Sequence, residues 1–537
     1  MSSGGSCRPR AVTMLTMAFR TLLLTLACVS PVLAQPAAPS KELVAAFDDA
    51  RRGTAGPHRL DATEALVRLP HESNLERFLK ALESDGRAVV ATEKRILKLE
   101  KLRRRFDQEL AKQEKRGTSE QVFKARDELD QCNGDLQFRR QSLHTIAREN
   151  RLLRTGWKAS LETLAGPDQD KHLKTLLGKA RSARDYPLKR SLMKLLAVLP
   201  RDETSALLAE VLHRSRDPHI RAAAADALGD QNRIDNEPAL CRAVSDDFAI
   251  VRSAAIMSLR LVGGTQAVEA LIQAVGREEG RLLQDAIVVL RHLTGVTFHD
   301  NVALWEDWWR NSKRNYKRPG RFGKKIGRKI SKKDLQIDAG KGNEFYGLRF
   351  RSHALVYLID ISGSMNEKVN AVATTGFGGE EETKLDRAKR ELIRSLQGLP
   401  SGMKINIIAY SNGLRPYHPR MVKLDDITRR GIIAWVKTLR AHGKTNIYDA
   451  VEMVLLEARG RRGRPSKAMI VDTVMLLTDG QPTAGKVQAS DLICSEVARL
   501  NEQTRIVIHT VGIGPDHDAR LLKRLSAESQ GVYVRAR

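Results

Sequence analysis

Cysteine is scarce, with five in 537 residues. Cys7 and Cys28 lie in the first 34 residues. Cys132, Cys241 and Cys494 are far apart, odd in number and without metal-type spacing. That excludes a disulfide scaffold and a thiolate zinc site, and it predicts three core or interface thiols. Aromatic residues make up 5% of the chain, and no RNA-module signature appears. There is no Gly-x-Ser-x-Gly elbow and no phosphate loop, and "PHES" around His71 lacks the second histidine of a metalloprotease helix. Beyond the N-terminus no segment is apolar for long enough to cross a bilayer. Acid is missing from two stretches. Residues 1–34 hold three Arg and no Asp or Glu, and residues 310–333 hold twelve Lys and Arg and no acid. These two stretches account for more than half of the formal charge of +27, so the rest of the chain has an ordinary balance.

What is present begins with an export pattern. "MAFRTLLLTLACVSPVLAQ" has a basic start at Arg20, an apolar stretch from Leu22 to Val29, and small residues at Val32 and Ala34 before Gln35. Residues 1–34 are expected to be a signal peptide, with Met1, Met14 or Met17 as the start. An uncleaved anchor and lipidation at Cys28 stand as alternatives. The expected location is the periplasm, the cell envelope or the medium.

Residues 35–85 carry short helical patterns with a cap at Ser40. Residues 86–160 carry apolar positions at 3–4 spacing: Val122, Ala125, Leu129, Cys132, Leu136, Leu143 and Ile146, with a looser stripe at Ile96, Leu99, Phe106 and Leu110. Gly117 and a cap-like Ser119 lie between them. The pattern predicts two long helices in an antiparallel hairpin or coiled coil. Residues 171–309 contain a 31-residue repeat. Arg190, Arg221 and Arg252 align, as do Ala224, Ala255 and Ala286, and Leu228, Leu259 and Leu290. Helix pairs that cannot bury their apolar faces alone stack into a solenoid. Solenoid and hairpin are expected to serve either as docking surfaces or as a spacer and packing unit. Trp305, Trp308 and Trp309 share one helical face and read as a hydrophobic cap on the last repeat. Residues 310–342 read as an extended basic linker that contacts anionic polymer or lipid, or is simply solvated.

Residues 343–537 alternate short apolar runs with helical stretches, which predicts a largely parallel, doubly wound sheet. "LVYLIDISGSMNEK" then places Asp360 at a strand end and Ser362 and Ser364 on the loop after it. Asp479 of "TDG" ends another strand, and Thr445 of "GKTNIYDA" precedes a helix. Ligands of such sheets bind outside the carboxyl ends of the strands, where these five side chains are expected to meet. Two carboxylates and three hydroxyls suit a hard cation such as Mg2+, Mn2+ or Ca2+.

The repeats resemble HEAT repeats. The Asp-x-Ser-x-Ser, Thr and Asp set resembles the metal-ion-dependent adhesion site of von Willebrand factor A domains. The resemblance implies a multidomain chain: α-helical hairpin and α-solenoid followed by an α/β doubly wound, Rossmann-like A domain. It further implies that Ser362, Ser364 and Thr445 bind the metal directly, that Asp360 and Asp479 act partly through water, and that a partner's Asp or Glu completes the octahedron. The order of signal, helical repeats ending in "LTG…W..WW", and an A domain is similar to exported bacterial proteins of unassigned role. The Gly- and Thr-rich segment between the metal loop and the next helix departs from the pattern. One of Glu380, Glu381 and Glu382 is expected to cap the metal in cis. The reading is a non-enzymatic, exported protein-binding or adhesion protein. Nucleic acid is a disfavoured partner, and a Ro-like RNA-binding protein and a subunit of an ATPase-associated assembly are the alternatives.

Overall fold

The computed structural model describes residues 38–53, 55–318, 343–369, 382–459 and 466–536. The expected signal peptide, most of the basic linker, and Glu380 and Glu381 lie outside them. No helix among the described residues is long and apolar enough to cross a membrane.

The N-terminal half is helical: α1 (Lys41–Ala50), α2 (Pro57–Val67), α3 (Ser73–Arg116), α4 (Ser119–Glu162), α5 (Gly166–Ser182), α6 (Tyr186–Ala197), α7 (Asp202–Arg214), α8 (Pro218–Gln231), α9 (Glu237–Ala243), α10 (Ala249–Val262), α11 (Thr265–Arg277), α12 (Gly280–Thr294) and α13 (Val302–Ser312). Ser40 caps α1 by accepting from Leu43 N at 3.2 Å. The hairpin is α3 and α4, 44 residues each. Its first helix starts at Ser73, earlier than the 86–160 span read from sequence. Gly86 does not break it. A Cβ there would lie 2.8 Å from Leu188 Cβ, so the glycine lets α6 approach. The turn is closed by Thr118, one residue before the expected Ser119. Its hydroxyl accepts from Gln121 N, and Gln121 Oε1 accepts from Thr118 N at 2.9 Å, a reciprocal capping box. Cys132, Leu136, Leu143 and Ile146 are buried along the seam with Ile96 and Leu99.

The repeat is seen directly. Ala224, Ala255 and Ala286, and Leu228, Leu259 and Leu290, all have zero exposure on α8, α10 and α12. Arg221 pairs with Asp246 and Arg252 with Glu278. The matching Arg190 pairs with Glu502, outside the solenoid. Trp305 is fully buried, Trp309 nearly so, and both lie against the last repeats. The basic stretch begins later than expected as an extended segment. Tyr316 packs edge-on against Trp309 at 5.2 Å, and Arg318 donates to Leu261 O at 3.0 Å, so residues 310–318 continue the array.

The C-terminal unit contains β1 (Asn343–Phe345), β2 (Leu348–Phe350), β3 (Ala354–Asp360), β4 (Lys368–Val369), β5 (Glu382–Thr383), α14 (Lys384–Gly398), β6 (Lys404–Tyr410), β7 (Leu414–Pro416), β8 (Val422–Lys423), α15 (Asp426–Lys437), α16 (Ile447–Ala458), β9 (Thr473–Thr478), α17 (Ser490–Asn501), β10 (Val507–Ile513), α18 (Ala519–Glu528) and β11 (Tyr533–Ala536). The main sheet runs β11-β10-β9-β3-β6-β7, with β8 also on β6. The β11-β10, β10-β9, β9-β3 and β3-β6 pairs are parallel, and β7 and β8 add antiparallel edges. Every residue of β3, β9 and β10 is buried, as expected of strands covered on both faces. Leu355, Tyr357 and Ile359 share a core with α14 and α15 residues, while Val356 and Leu358 pack with α16, α17 and α18.

The helical half holds this unit through buried charge. Arg140 of α4, 1% exposed, donates from Nη2 to Glu100 at 2.8 Å and to Glu452 of α16 at 3.2 Å. Its guanidinium lies 5.2 Å above the Tyr448 ring. Arg499 reaches Glu93, Arg505 reaches Asp226, and Lys194 joins Arg190 on Glu502. Arg190 and Lys194 lie on α6 and Asp226 on α8, so the first helices of successive repeats are engaged inside the chain. The sequence left this surface open between docking and spacing.

Candidate metal centre

Asp360 is the last residue of β3, and Asp479 follows the last residue of β9. These two strands are neighbours, and β6 lies on the other side of β3. The chain winds outward in both directions from this point, which opens a crevice at the carboxyl edge.

Local hydrogen bonds shape the three loops. Asp360 Oδ1 accepts from Ser362 N at 2.8 Å, and Oδ2 accepts from Thr478 Oγ1 at 2.6 Å. Gly363 N donates to Gly443 O at 2.9 Å, tying the serine loop to the threonine loop. Gly443 has φ +77°, and a Cβ there would meet Asn412 at 3.0 Å, so the turn needs glycine on both counts. Asn446 then caps α16, accepting from Asp449 N. Thr445 N donates to Thr483 Oγ1 at 3.0 Å, fixing the threonine backbone.

The five sequence-selected side chains come together. Ser362 Oγ and Ser364 Oγ are 3.2 Å apart, and Ser364 Oγ donates to Asp479 Oδ1 at 2.8 Å. A Cβ on Gly480 would lie 3.5 Å from Thr445 Oγ1 and 3.8 Å from Ser364 Oγ, so these two hydroxyls both face the backbone turn that follows Asp479. Asp360, Ser362, Thr445 and Asp479 are all buried. Burial raises the Asp360 carboxyl pKa to about 6, with nearby Asp479 adding to the rise and the Thr478 and Ser362 hydrogen bonds opposing it. Among the described residues no three His, Cys, Asp or Glu side chains gather as a metal cluster, so any cation here depends on the hydroxyls. Two buried carboxylates with three hydroxyls form an all-oxygen donor set that fits a hard divalent ion.

Sequence reading missed Lys384. Its ammonium donates to Asp479 Oδ2 at 3.0 Å and to Glu367 Oε2, and the residue is buried. Burial pulls its pKa down, but Glu367 and Asp479 outweigh burial and leave it raised. Lys384 follows Ser364 by twenty residues, and no spacing rule connects them. The link is made by β4 pairing with β5, antiparallel, and by Lys384 N donating to Glu367 O at 2.9 Å. The ends of the Gly-rich segment are thereby zipped together. Glu382, expected as a cap in cis, lies on β5 and pairs with Arg390. Asp479 thus carries the Ser364 hydroxyl on one oxygen and the Lys384 ammonium on the other.

Residues 381–535 match the family model for the von Willebrand factor type A domain, and residues 205–291 match that for HEAT repeats. The first span contains Thr445 and Asp479 and begins beyond the Asp360–Ser364 loop. Inter alpha-trypsin inhibitor, heavy chain 4, of Mus musculus is 25% identical over 188 residues, which is 34% of this chain and 18% of that protein. The human heavy chain H4 is 25% identical over 206 residues, 37% and 20% of the two chains. This chain thus spans at most 20% of the length of these two relatives. Among solved structures, von Willebrand factor type A from Catenulispora acidiphila aligns at 20% identity and TM-score 0.27, over 35% of this chain and 40% of that one. The chain carries HEAT repeats followed by a von Willebrand factor type A domain.

Proposed function

We propose that the A domain is a non-enzymatic binding module that takes up a divalent cation at Asp360, Ser362, Ser364, Thr445 and Asp479 and thereby engages an Asp or Glu of a protein partner. The observation that carries this reading is the approach of Ser364 Oγ to Asp479 Oδ1 at 2.8 Å beside Ser362 Oγ. The two carboxylates formally carry −2, and the Lys384 ammonium on Asp479 Oδ2 offsets one of them, so the protein cancels only part of a divalent charge. A bound cation would supply an open position for an outside carboxylate. Ser362 and Ser364 would present hydroxyl oxygen from a loop pinned by Asp360 Oδ1 and Gly443 O. Thr445 would present its hydroxyl from the position before the Asn446 cap of α16. Asp360 and Asp479 would balance charge from below.

Likeness to A-domain proteins supports a protein-interaction role. The N-terminal basic, apolar and small-x-small order supports export. The Ser364 hydroxyl is bonded to a carboxylate and to Ser362, and no imidazole contacts it among the described residues, which favours binding over acyl transfer.

The test is Mn2+ titration calorimetry on the chain from Gln35 onward, followed by a pull-down from envelope extract in Mg2+ and in EDTA. The expected result is one site per chain, lost in Asp360→Ala and Ser364→Ala, and a partner retained only in Mg2+. Cation uptake indifferent to both substitutions would overturn the assignment of the site.

A further inference from the structure

We infer that the outward face of α3 is a docking surface for anionic lipid headgroups. Lys94, Lys98, Lys101, Arg104, Arg105 and Lys115 are exposed. At 3.6 residues per turn they fall within an arc of about 120°, along roughly 32 Å of helix. No acidic residue of 94–116 falls in that arc, since Glu100, Asp107, Glu109 and Glu114 project elsewhere. None of the six cations makes an ion pair among the described residues. Within the arc Lys112 lies 3.7 Å from Glu109 at its margin, and on other sides Arg103 lies 3.4 Å from Asp107 and Arg126 of α4 lies 3.2 Å from Glu114. A row of unpaired like charges repels itself and gains only from an outside anion.

The shape of the arm selects the anion. α3 and α4 lie side by side, so the arm is about two helix diameters, roughly 20 Å, across. That is too wide for the duplex major groove of about 12 Å. The cationic arc carries no aromatic residue, so unpaired bases have nothing to stack on. The face lies along one continuous helix and is convex, a shape that suits a plane of headgroups better than a groove. Leu97, 59% exposed, lies inside the arc near one edge, and Leu102, 38% exposed, lies about 40° beyond the other. Cations around an exposed apolar side chain match a headgroup layer over acyl chains. This surface is independent of the metal centre.

The experiment is co-sedimentation of the full chain with phosphatidylcholine vesicles, with and without about 30% phosphatidylglycerol, since each Lys or Arg at such a surface is worth about fivefold in partitioning. K98Q/K101Q/R104Q/R105Q is compared with a control that neutralises four exposed cations elsewhere, K171Q/K174Q/R184Q/R216Q. All eight positions are exposed, so both variants are expected to fold, which the far-UV spectrum and urea midpoint check. The expected result is a preference for anionic vesicles that falls by about tenfold or more in the α3 variant and far less in the control. Equal losses in the two variants, or no preference for anionic vesicles, overturns the inference. So does duplex DNA bound more tightly than the vesicles with the same dependence on α3.

Discussion

Replacing Arg140 by Met tests whether the helical half and the A domain are one thermodynamic unit. The side chain keeps its length and loses its charge at a site with 1% exposure. Deleting one partner of a fully buried pair costs about 3–5 kcal/mol when nothing else compensates. Here much does. Glu452 keeps Lys486 and accepts from Tyr448 Oη at 2.9 Å, and Glu496 keeps Arg499 at 2.9 Å. Glu100 retains 13% side-chain exposure and turns to water. What is lost is two charge-assisted hydrogen bonds, worth about 1.5–3 kcal/mol each before compensation. The stacking on Tyr448 adds about 1–2 kcal/mol, and the buried thioether offsets part of the total. The expected net loss is about 2–4 kcal/mol. It is read by native-state hydrogen exchange, because a chain of several domains lacks a single unfolding free energy. Protection of α16 and α4 amides should fall together, by about 30-fold or more at 2 kcal/mol. A cycle with Glu452→Gln should show a coupling of about 1–2 kcal/mol. A loss below about 0.5 kcal/mol, or strict additivity with Glu452→Gln, refutes the claim that this contact joins the two halves.

Other outcomes follow from single contacts. Lys384→Met removes the ammonium beside Asp479, so Mn2+ affinity by calorimetry should rise about tenfold or more while the metal-free protein loses stability. Gly229→Ala places a methyl 2.6 Å from Ser258 and should lower the urea midpoint by the equivalent of about 1–3 kcal/mol. Gly178→Ala, in open space on α5, should raise it by up to about 1 kcal/mol. His509 has its pKa lowered from 6.5 to about 3 by burial and by Arg281, and its Nδ1 accepts from Val532 N at 3.1 Å. The unfolded chain binds the extra proton between those pH values, so stability is full above pH 6.5 and falls as pH drops toward 3. At two units below the unfolded value the loss is about 2.7 kcal/mol, and His509→Asn should flatten that acid limb in pH-dependent urea titrations.

The periodic parts of this chain were legible. The 31-residue spacing placed Ala224, Ala255 and Ala286 at identical buried positions because stacked helices approach closely only over small residues. The apolar runs of β3, β9 and β10 announced strands covered on both faces. The five polar residues were found because a parallel sheet carries every strand's carboxyl end to one edge, so position in the strand pattern fixes position in space. The start of α3 and the order in residues 310–318 were not legible. Gly86 and the Lys- and Arg-rich run look like breaks until Leu188, Trp309 and Leu261 are beside them.

By itself, then, the sequence determined the repeat, the doubly wound sheet and the oxygen donors at its edge, all of which follow from local period and strand register. Tertiary structure alone decided that Lys384 sits on Asp479, that Arg140 of the hairpin clamps the helix leading from Thr445, and that six cations along one face of α3 make no ion pair among the described residues. Charges have no period, and their partners lie 95 residues away for Lys384 and 312 for Arg140. Whether a carboxylate meets them depends on which surfaces the packed apolar cores bring together.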